Sequence, residues 1–584
     1  MVSLMSKTPN YDAKVKAILD ATMPGERVCA LTGEKWNMTE EEIFWYKKFN
    51  VPPLKFCPKA IFWKMSLFWL TFSWWWNKHA QTNKPILTYI HPATGTRVLP
   101  EKEWFEKDFT SEGKEVIFDE SFMRQLHALQ IRVPLLANQN IKEPHKSICM
   151  FSFGDIESYF VMFSQTKNTF FSSCVSQVED SSEIINGVSI AKSFDVLDSQ
   201  RIYNGKFIRC SFDCMNSSFL FDCRNCEYCF GATNKRNRKY LWWNEQLSKE
   251  EWEKRQTEVN FRSHKQIDQL VYQFKTIIGT EAIWPENFNE QAINSTGEYL
   301  TNVTNVKESY LCLNGVHDCF KVIFSFGDSH DCAFCTGHTN LQYSFCDVNG
   351  RYSLGLKYTN GCQNSQNLEY CVQCFDCENC FGCVGLYRNK FCILNKKYTE
   401  EEYWQKLDQI KTWMLDRGEY GEFLTPDMSF NPFSDSGAPI YLCADDQVCK
   451  LLNAFDFDVS ADGADGLSLQ DHHKAKNIED IPDNIDELDA DDWVGIPIFD
   501  RGQNRYFAFL RPEIEFYKTY GIAPPNRHYI ARMNNRTKES NAGMFEQTTC
   551  KKCSKEITIA LNQTYPNRLV YCKECYLKYL EEKG

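Results

Sequence analysis

The sequence predicts a mainly β chain with helices, in which two tandem β-solenoid-like repeats, offset by 151 residues, lie between small α+β modules at the two ends. Three observations lead there. The first is duplication. Glu157-Ser158-Tyr159 recurs as Glu308-Ser309-Tyr310, Cys223-x-x-Cys226-x-x-Cys229-Phe230-Gly231 as Cys374-x-x-Cys377-x-x-Cys380-Phe381-Gly382, and Glu250-Glu251-Trp252 as Glu401-Glu402-Tyr403. No insertion or deletion separates these anchors, so two copies of one unit are expected. The second is texture: short runs of β-branched, aromatic and Cys residues are broken every few positions by Asn, Ser, Asp or Gly, as in short strands joined by tight turns. Stacked rungs of that kind bury their inward residues on one another, and a pair of small antiparallel sheets is the alternative. The third is likeness between the ends. Phe44-Trp45-Tyr46-Lys47 followed by Pro52-Pro53 resembles Glu515-Phe516-Tyr517-Lys518 followed by Pro524-Pro525.

In chain order, residues 1–110 read as an N-terminal module with an aromatic helix, and 111–147 as a helical connector carrying Phe122 to Leu136. The first repeat, 148–285, includes Tyr159–Phe163 as a strand and closes on a helix begun by Ser248-x-x-Glu251. The second, 294–420, includes Cys319–Phe324 and closes on a helix begun by Thr399-x-x-Glu402, both with capping-box signatures. Residues 421–492 read as an acidic linker and 493–584 as a C-terminal helical and cysteine-bearing module. Aligning Pro53 with Pro524 sets Cys57 on His528, Ile61 on Arg532 and Met65 on Arg536. A cationic stripe in one module thus replaces apolar residues in the other.

At 584 residues the chain exceeds one core, and 43% hydrophobic content is ample for packed domains. A net charge of -12 argues against a protein that coats nucleic acid with its whole surface. The charge is uneven: residues 445–492 hold fifteen Asp/Glu against three Lys, and 501–584 hold fifteen Lys/Arg against eight Glu. Asp456, Asp458 and Asp462 lack the Gly and terminal Glu offsets of a calcium loop. Residues 61–76 carry eight aromatics but fall short of the ~20 apolar residues of a spanning helix. They read as a buried helix or as a peripheral membrane or partner contact. The start shows no secretory signal, which points to a cytoplasmic, reducing setting where 27 cysteines serve as ligands or buried thiols.

The sharpest chemical pattern is Cys550-x-x-Cys553, eighteen residues, then Cys572-x-x-Cys575. Two short-spaced thiol pairs supply four thiolates to one Zn²⁺ and leave no open position, so the spacing predicts a structural zinc ribbon. Ile557–Leu561 and Arg568–Tyr571 would form its hairpin. At the other end Cys29-x-x-Thr32 and His91-x-x-Thr94 read as degenerate knuckles, with Cys29, Cys57 and His91 a conceivable site. A second metal site is conceivable at Cys374, Cys377 and Cys380, within a run of Cys at every third position from 371 to 383, or these thiols simply fill a narrow coil. Asp328, His330, Asp331 and His338 form a polar cluster whose first-repeat counterparts are Gln177, Glu179, Asp180 and Gly187. His317 and His472-His473 add no metalloprotease spacing, and no phosphate loop or nucleophile elbow is present.

Cys377-Glu-Asn-Cys-Phe-Gly-Cys-Val-Gly-Leu386 with Cys392-Ile-Leu-Asn395, then Ile481-Pro-Asp483 and Tyr571-Cys-Lys-Glu-Cys-Tyr576, resemble a family of cysteine-rich proteins without established activity, known mainly from the genomes of uncultivated bacteria. The resemblance implies duplicated Cys-rich repeats flanked by zinc-ribbon-like modules. This sequence departs from the family at the N-terminus, where relatives are richer in Arg and Cys pairs.

Three function classes follow. The first is a non-enzymatic, zinc-binding interaction scaffold for a macromolecular assembly. The second is a nucleic-acid or ribonucleoprotein-associated factor touching its partner through Arg527, Arg532, Arg536, Lys551 and Lys552. The third is an enzyme acting on a polymer laid along the repeats, with Asp328 and Asp331 as acids.

Overall fold

A computed structural model describes residues 6–456 and 475–584. The chain forms two compact units, Met1–Ala137 with Phe288–Phe457 and Asn138–Asn287 with Asp458–Gly584. Each unit therefore joins one terminal module to one repeat. Strand covers 35% and helix 28%, so the mainly β expectation becomes a mixed α/β chain.

Both repeats consist of parallel strands bonded to the segment about twelve residues further on, as in Gln200↔Phe212 and Thr339↔Arg351. A period of three organises each rung. Asn225, Tyr228, Asn234 and Asn237 adopt left-handed φ of 53 to 55°, with Gly231 at 70° between them. The residue after each such corner points inward: Val196, Ile202, Ile208, Cys214, Leu220, Cys223, Cys226, Cys229 and Ala232 line one core. In the second repeat Cys371, Cys374, Cys377, Cys380 and Cys383 do the same.

The backbone accounting closes on this geometry. At the corners, N–H of Tyr228 donates to Met215 O (3.2 Å) and that of Gly231 to Ser218 O (3.0 Å). Between corners, Phe230 N donates forward to Leu241 O at 2.8 Å. Inward serines join the ladder. Ser193 Oγ accepts from Gly205 N, Ser211 Oγ from Cys223 N and Ser217 Oγ from Cys229 N, each at 3.0 Å.

The early rungs break the expected uniform offset. Met162↔Ser173 spans eleven residues and Tyr310↔Ile323 thirteen. Glu157 and Glu308 thus do not mark matching rungs, and the copies run in step from Ser182↔Phe194 and Ala333↔Phe345 onward. Helices follow where the caps foretell. Ser248 Oγ accepts from Glu251 N before Lys249–Thr257, and Thr399 with Glu402 closes a capping box before Glu400–Asp416. The connector helix is shorter than its pattern, Phe122–Arg132, because Pro134 drives Val133 into the extended region.

The aromatic run is interior. Its helix covers only Pro58–Ser66, and Ile61, Phe62, Phe68, Trp69, Leu70, Phe72, Trp74 and Trp75 are all buried. That removes the peripheral membrane contact read from 61–76, and no described helix is long and apolar enough to cross a membrane. Part of its cover comes from the segment expected to be a linker. Phe68 meets Phe423 edge-on at 5.2 Å, Trp69 stacks on Tyr441 at 4.7 Å, and Met428, Phe430 and Phe433 are buried. Residues 421–456 are thus packed structure. Residues from Ala475 onward are packed too: Lys476–Asn477 pairs with Ile498–Asp500, and Asp483 accepts from Ser263 and Lys265. Asp458, Asp462 and His472-His473 lie outside the described residues.

Among the inward positions of the second repeat, Asp347 and His338 are ionisable side chains. Asp347 replaces the apolar Val196 of the first, and burial pushes its carboxyl up to about 7 despite bonds from Thr359 Oγ1 and Gly350 N. Its folded pKa lies above the unfolded value, so the folded state holds an extra proton between pH ~4 and ~7 and loses stability as pH rises through that window. Asp347→Asn should flatten the dependence by up to about 1.4 kcal/mol per pH unit in denaturant titrations at pH 5, 6 and 7. Parallel curves for parent and variant would refute the assignment.

Candidate metal centre

Four sulfurs converge at the C-terminal end. Strand Asn541–Thr549 pairs antiparallel with Glu556–Asn562, and the turn between them forms a knuckle: Cys550 N donates to Lys555 O (2.8 Å) and Ser554 N to Cys550 O (2.9 Å). Cys572 is the N-cap of helix Lys573–Lys583, and its N–H donates to Cys550 Sγ at 3.2 Å. Cys553 and Cys572 Sγ are 3.7 Å apart, and the ligand atoms of Cys550, Cys553, Cys572 and Cys575 all lie within 4.8 Å of one another. A tetrahedron of thiolates at ~2.3 Å from an ion has edges of about 3.8 Å, so the donor set fits a metal. Burial alone would raise the Cys550 thiol, but N–H groups of Cys572, Cys553 and Lys552 hold it down at about 6, favouring the ligating thiolate.

The expected hairpin partner is different. Leu569–Tyr571 pairs in parallel with Ile283–Pro285, the tail of the first repeat, rather than with the 556–562 strand. Further contacts fasten the same end. Tyr576 Oη bonds Asp222, Arg236 donates to Tyr576 Oη at 3.0 Å, and Arg238 donates to the Gly584 carbonyl at 2.6 Å. The four-cysteine module is thereby clamped to the end of its repeat, through Tyr576 beside its last cysteine and through Asp222, Arg236 and Arg238 of the repeat.

The knuckle recurs three times without four sulfurs. In the N-terminal module Cys29 N donates to Glu34 O (2.8 Å), Gly33 N to Cys29 O (2.9 Å) and Cys57 N to Cys29 Sγ (3.3 Å). Thr32 and Ala60 occupy the remaining ligand positions, and Cys29, Cys57 and Ala60 form an apolar cluster with Leu31, Trp36 and Phe56. Next, His79 N donates to Lys84 O and Asn83 N to His79 O, and His79 Nε2 lies 3.2 Å from Glu103. Finally, His528 N donates to Asp500 Oδ2 at 2.8 Å and Gly502 N to Oδ1 at 2.9 Å. Cys29 and Asp500, Cys57 and His528, and His79 and Cys550 are each 471 residues apart, so both terminal modules carry the same two knuckles. His91 is not part of them. It packs edge-on against Trp75 at 4.4 Å, and the Cys29–Cys57–His91 site is not assembled.

The central cysteines are core. Cys374 Sγ approaches the carbonyls of Val372 and Cys383, and Cys377 that of Phe375 at 3.2 Å. Burial pushes the Cys371 and Cys374 thiols far up. Among the described residues only the terminal quartet forms a ligand group, and Cys374, Cys377 and Cys380 lie in the core of the second repeat.

The basic residues divide. Arg527, Lys551 and Lys552 are exposed. Arg532 and Arg536 are not: Arg532 pairs with Glu183, and Arg536 with Asp195 at 2.7 Å, with side chains 12% and 8% exposed. Two members of the expected cationic stripe therefore face inward, because acids on the first repeat meet them. The Asp328–His338 cluster also separates. His338 points into the core and shares a hydrogen bond with Ser325 Oγ at 2.8 Å, while Asp331 is held by Lys48 and by His330 at 2.9 Å. His317 stacks on His330 at 4.8 Å and lies 3.7 Å from Asp328.

Comparison with family models, with curated proteins and with solved structures gives no match.

The apolar knuckle makes a direct check of the assignment. Thr32→Cys with Ala60→Cys completes four thiols on a backbone that already has the donor geometry, and metal content should rise by one equivalent per chain. An unchanged equivalent in a folded double variant would show that the shared knuckle is not a ligand frame.

Proposed function

We propose that the protein is a non-enzymatic, zinc-stabilised scaffold whose two parallel-rung repeats are short β-solenoids. The observation that carries this reading is the four-thiol group clamped to the first repeat through Tyr576, Asp222 and Arg236. Four protein thiolates complete a tetrahedron, so the ion they suit is structural, and borderline-soft Zn²⁺ is the divalent metal that an S₄ set favours. Binding to such a module contributes about 10–16 kcal/mol of apparent free energy, enough to order segments that bury little surface. Thiol-filled cores suit a reducing intracellular compartment, and the resemblance to the cysteine-rich bacterial family accords with duplicated repeats between ribbon-like ends. Purified protein should carry one zinc per chain. Chelation should raise amide exchange across 541–584 while leaving Met1–Ala137 with Phe288–Phe457 protected. Iron in place of zinc, or a chelator without effect on exchange, would overturn the reading.

A nucleic-acid role is the second reading, supported by exposed Lys551 and Lys552 within the four-cysteine knuckle and by exposed Arg527 next to His528. With Arg532 and Arg536 engaged internally, its electrostatic footprint is small. Lys551→Glu with Lys552→Glu should abolish any salt-dependent shift of single-stranded RNA, and parent protein that gives no shift at low salt would end this reading. A polymer-acting enzyme through Asp328 and Asp331 draws the least support, since Asp331 is taken by Lys48.

A further inference from the structure

Each terminal module docks on its repeat by matching contacts. Tyr517 stands edge-on to Phe194 at 6.4 Å, and Tyr46 to Phe345 at 6.1 Å. Phe516 packs on Phe170 at 5.5 Å, and Trp45 on Phe320 at 6.2 Å. The module residues in each pair are 471 apart, and the repeat residues 150 or 151 apart. One docking frame is thus used twice.

On that frame, one set of positions differs in kind. In the first repeat, the left-handed corners Glu183 and Asp195 are buried beneath Arg532 and Arg536, and Arg209 bridges Asp195 (2.6 Å) to Glu539 (2.8 Å). The corresponding corners of the second repeat, 151 residues on, are Phe334 and Cys346. The module positions matching Arg532 and Arg536 are Ile61 and Met65, both buried, and Tyr46 and Phe62 stack on Phe334 at 6.3 and 6.2 Å. At these four positions charge meets charge in one unit and apolar meets apolar in the other, while the buried cations Lys64 and Lys321 of the second unit find Glu422 and Glu42 elsewhere.

Chain order makes this partition consequential. The N-terminal module is followed in sequence by the first repeat but packs with the second, and the C-terminal module follows the second repeat but packs with the first. Proximity along the chain favours the pairings that do not occur. We propose that Glu183 and Asp195 with Arg532 and Arg536, against Phe334 and Cys346 with Ile61 and Met65, form a matched pair of docking addresses. They assign each terminal module to the distant repeat. The apolar positions placed on the first repeat would strip Glu183 of both its cations and leave Asp195 with Arg209 alone, and the arginine helix placed on the second would bury two guanidiniums against Phe334. Each mismatch is rejected by an uncompensated buried charge, the repulsive element that specificity requires.

Four full-length proteins test this by hydrogen exchange of Tyr529–Thr537, with Pro58–Ser66 as the internal control. They are the parent, R532I/R536M, E183F/D195C and the quadruple variant. Both doubles are mismatched and should exchange faster by on the order of 100-fold or more across Tyr529–Thr537. The quadruple rebuilds the apolar type of interface and should return most of the protection, with Pro58–Ser66 unchanged throughout. Losses that add, leaving the quadruple less protected than either double, would overturn the proposal. So would a double that exchanges like the parent.

Discussion

The structure depends on a backbone constraint: in each repeat nearly every third residue takes a left-handed φ, and the next side chain must fit the axis of a narrow coil. A left-handed corner costs a non-glycine residue about 1–2 kcal/mol. Bonds such as Tyr228 N to Met215 O and Asn234 N to Phe221 O offset it by tying each corner to the rung before. Asn and Asp recur there because their short polar side chains tolerate the conformation, and they stack between rungs, as Asn186 does on Asp198 and Asn225 on Asn237, at 2.8 and 2.7 Å. The axis is filled mostly by Val, Ile, Leu, Ser, Ala and Cys, with Asp347 and His338 among the exceptions. A thiol is a small hydrophobe with a weak donor, and Cys223 and Cys374 use it on neighbouring carbonyls.

That constraint explains why the central Cys-x-x-Cys runs and the terminal Cys-x-x-Cys pairs differ despite identical spacing. In a coil, a spacing of three places sulfurs on successive sides of one axis, each aimed at backbone carbonyls. In the terminal knuckle, the turn through Ser554 at φ 62° folds Cys550 and Cys553 toward a shared point, and the helix cap at Cys572 brings a second pair to it. The sister knuckles show what the frame needs in place of an ion. An apolar plug around Cys29, the His79–Glu103 contact, and the Asp500 carboxylate accepting from His528 each satisfy the same turn.

Much of this was legible in the sequence, for identifiable reasons. The terminal quartet, the helix starts at Ser248 and Thr399 and the matched Pro53 and Pro524 all rest on local chemistry, which short motifs encode. The eleven- and thirteen-residue early rungs were hidden because Glu157-Ser158-Tyr159 and Glu308-Ser309-Tyr310 keep the 151-residue offset without occupying matching rungs. Arg532 and Arg536 looked like a surface stripe because nothing local reveals Glu183 and Asp195, more than 300 positions earlier, as partners. The Asp500 knuckle holds no Cys pair for a spacing motif to find, although the alignment of Pro53 with Pro524 already sets Cys57 on His528. Carried back to Cys29, the same 471-residue offset falls on Asp500 and exposes it.

The charged docking surface illustrates how duplication and specificity pull against each other. Two copies of a module and two copies of a repeat begin with four equivalent pairings, and a uniformly apolar interface does not distinguish them. Converting one interface to buried ion pairs adds little net stability, since desolvation cancels much of the Coulombic gain. Arg209, Arg536, Asp195, Glu183 and Glu539 nevertheless satisfy one another in a network, with nearby Arg and Lys cations holding Asp195 and Glu539 ionised against the burial that opposes it. Breaking either side leaves charge without a partner, which costs far more than the intact network contributes. Its effect therefore falls on the wrong pairings rather than on the right one, and two halves built on one frame are distinguished by chemistry that neither half needs alone.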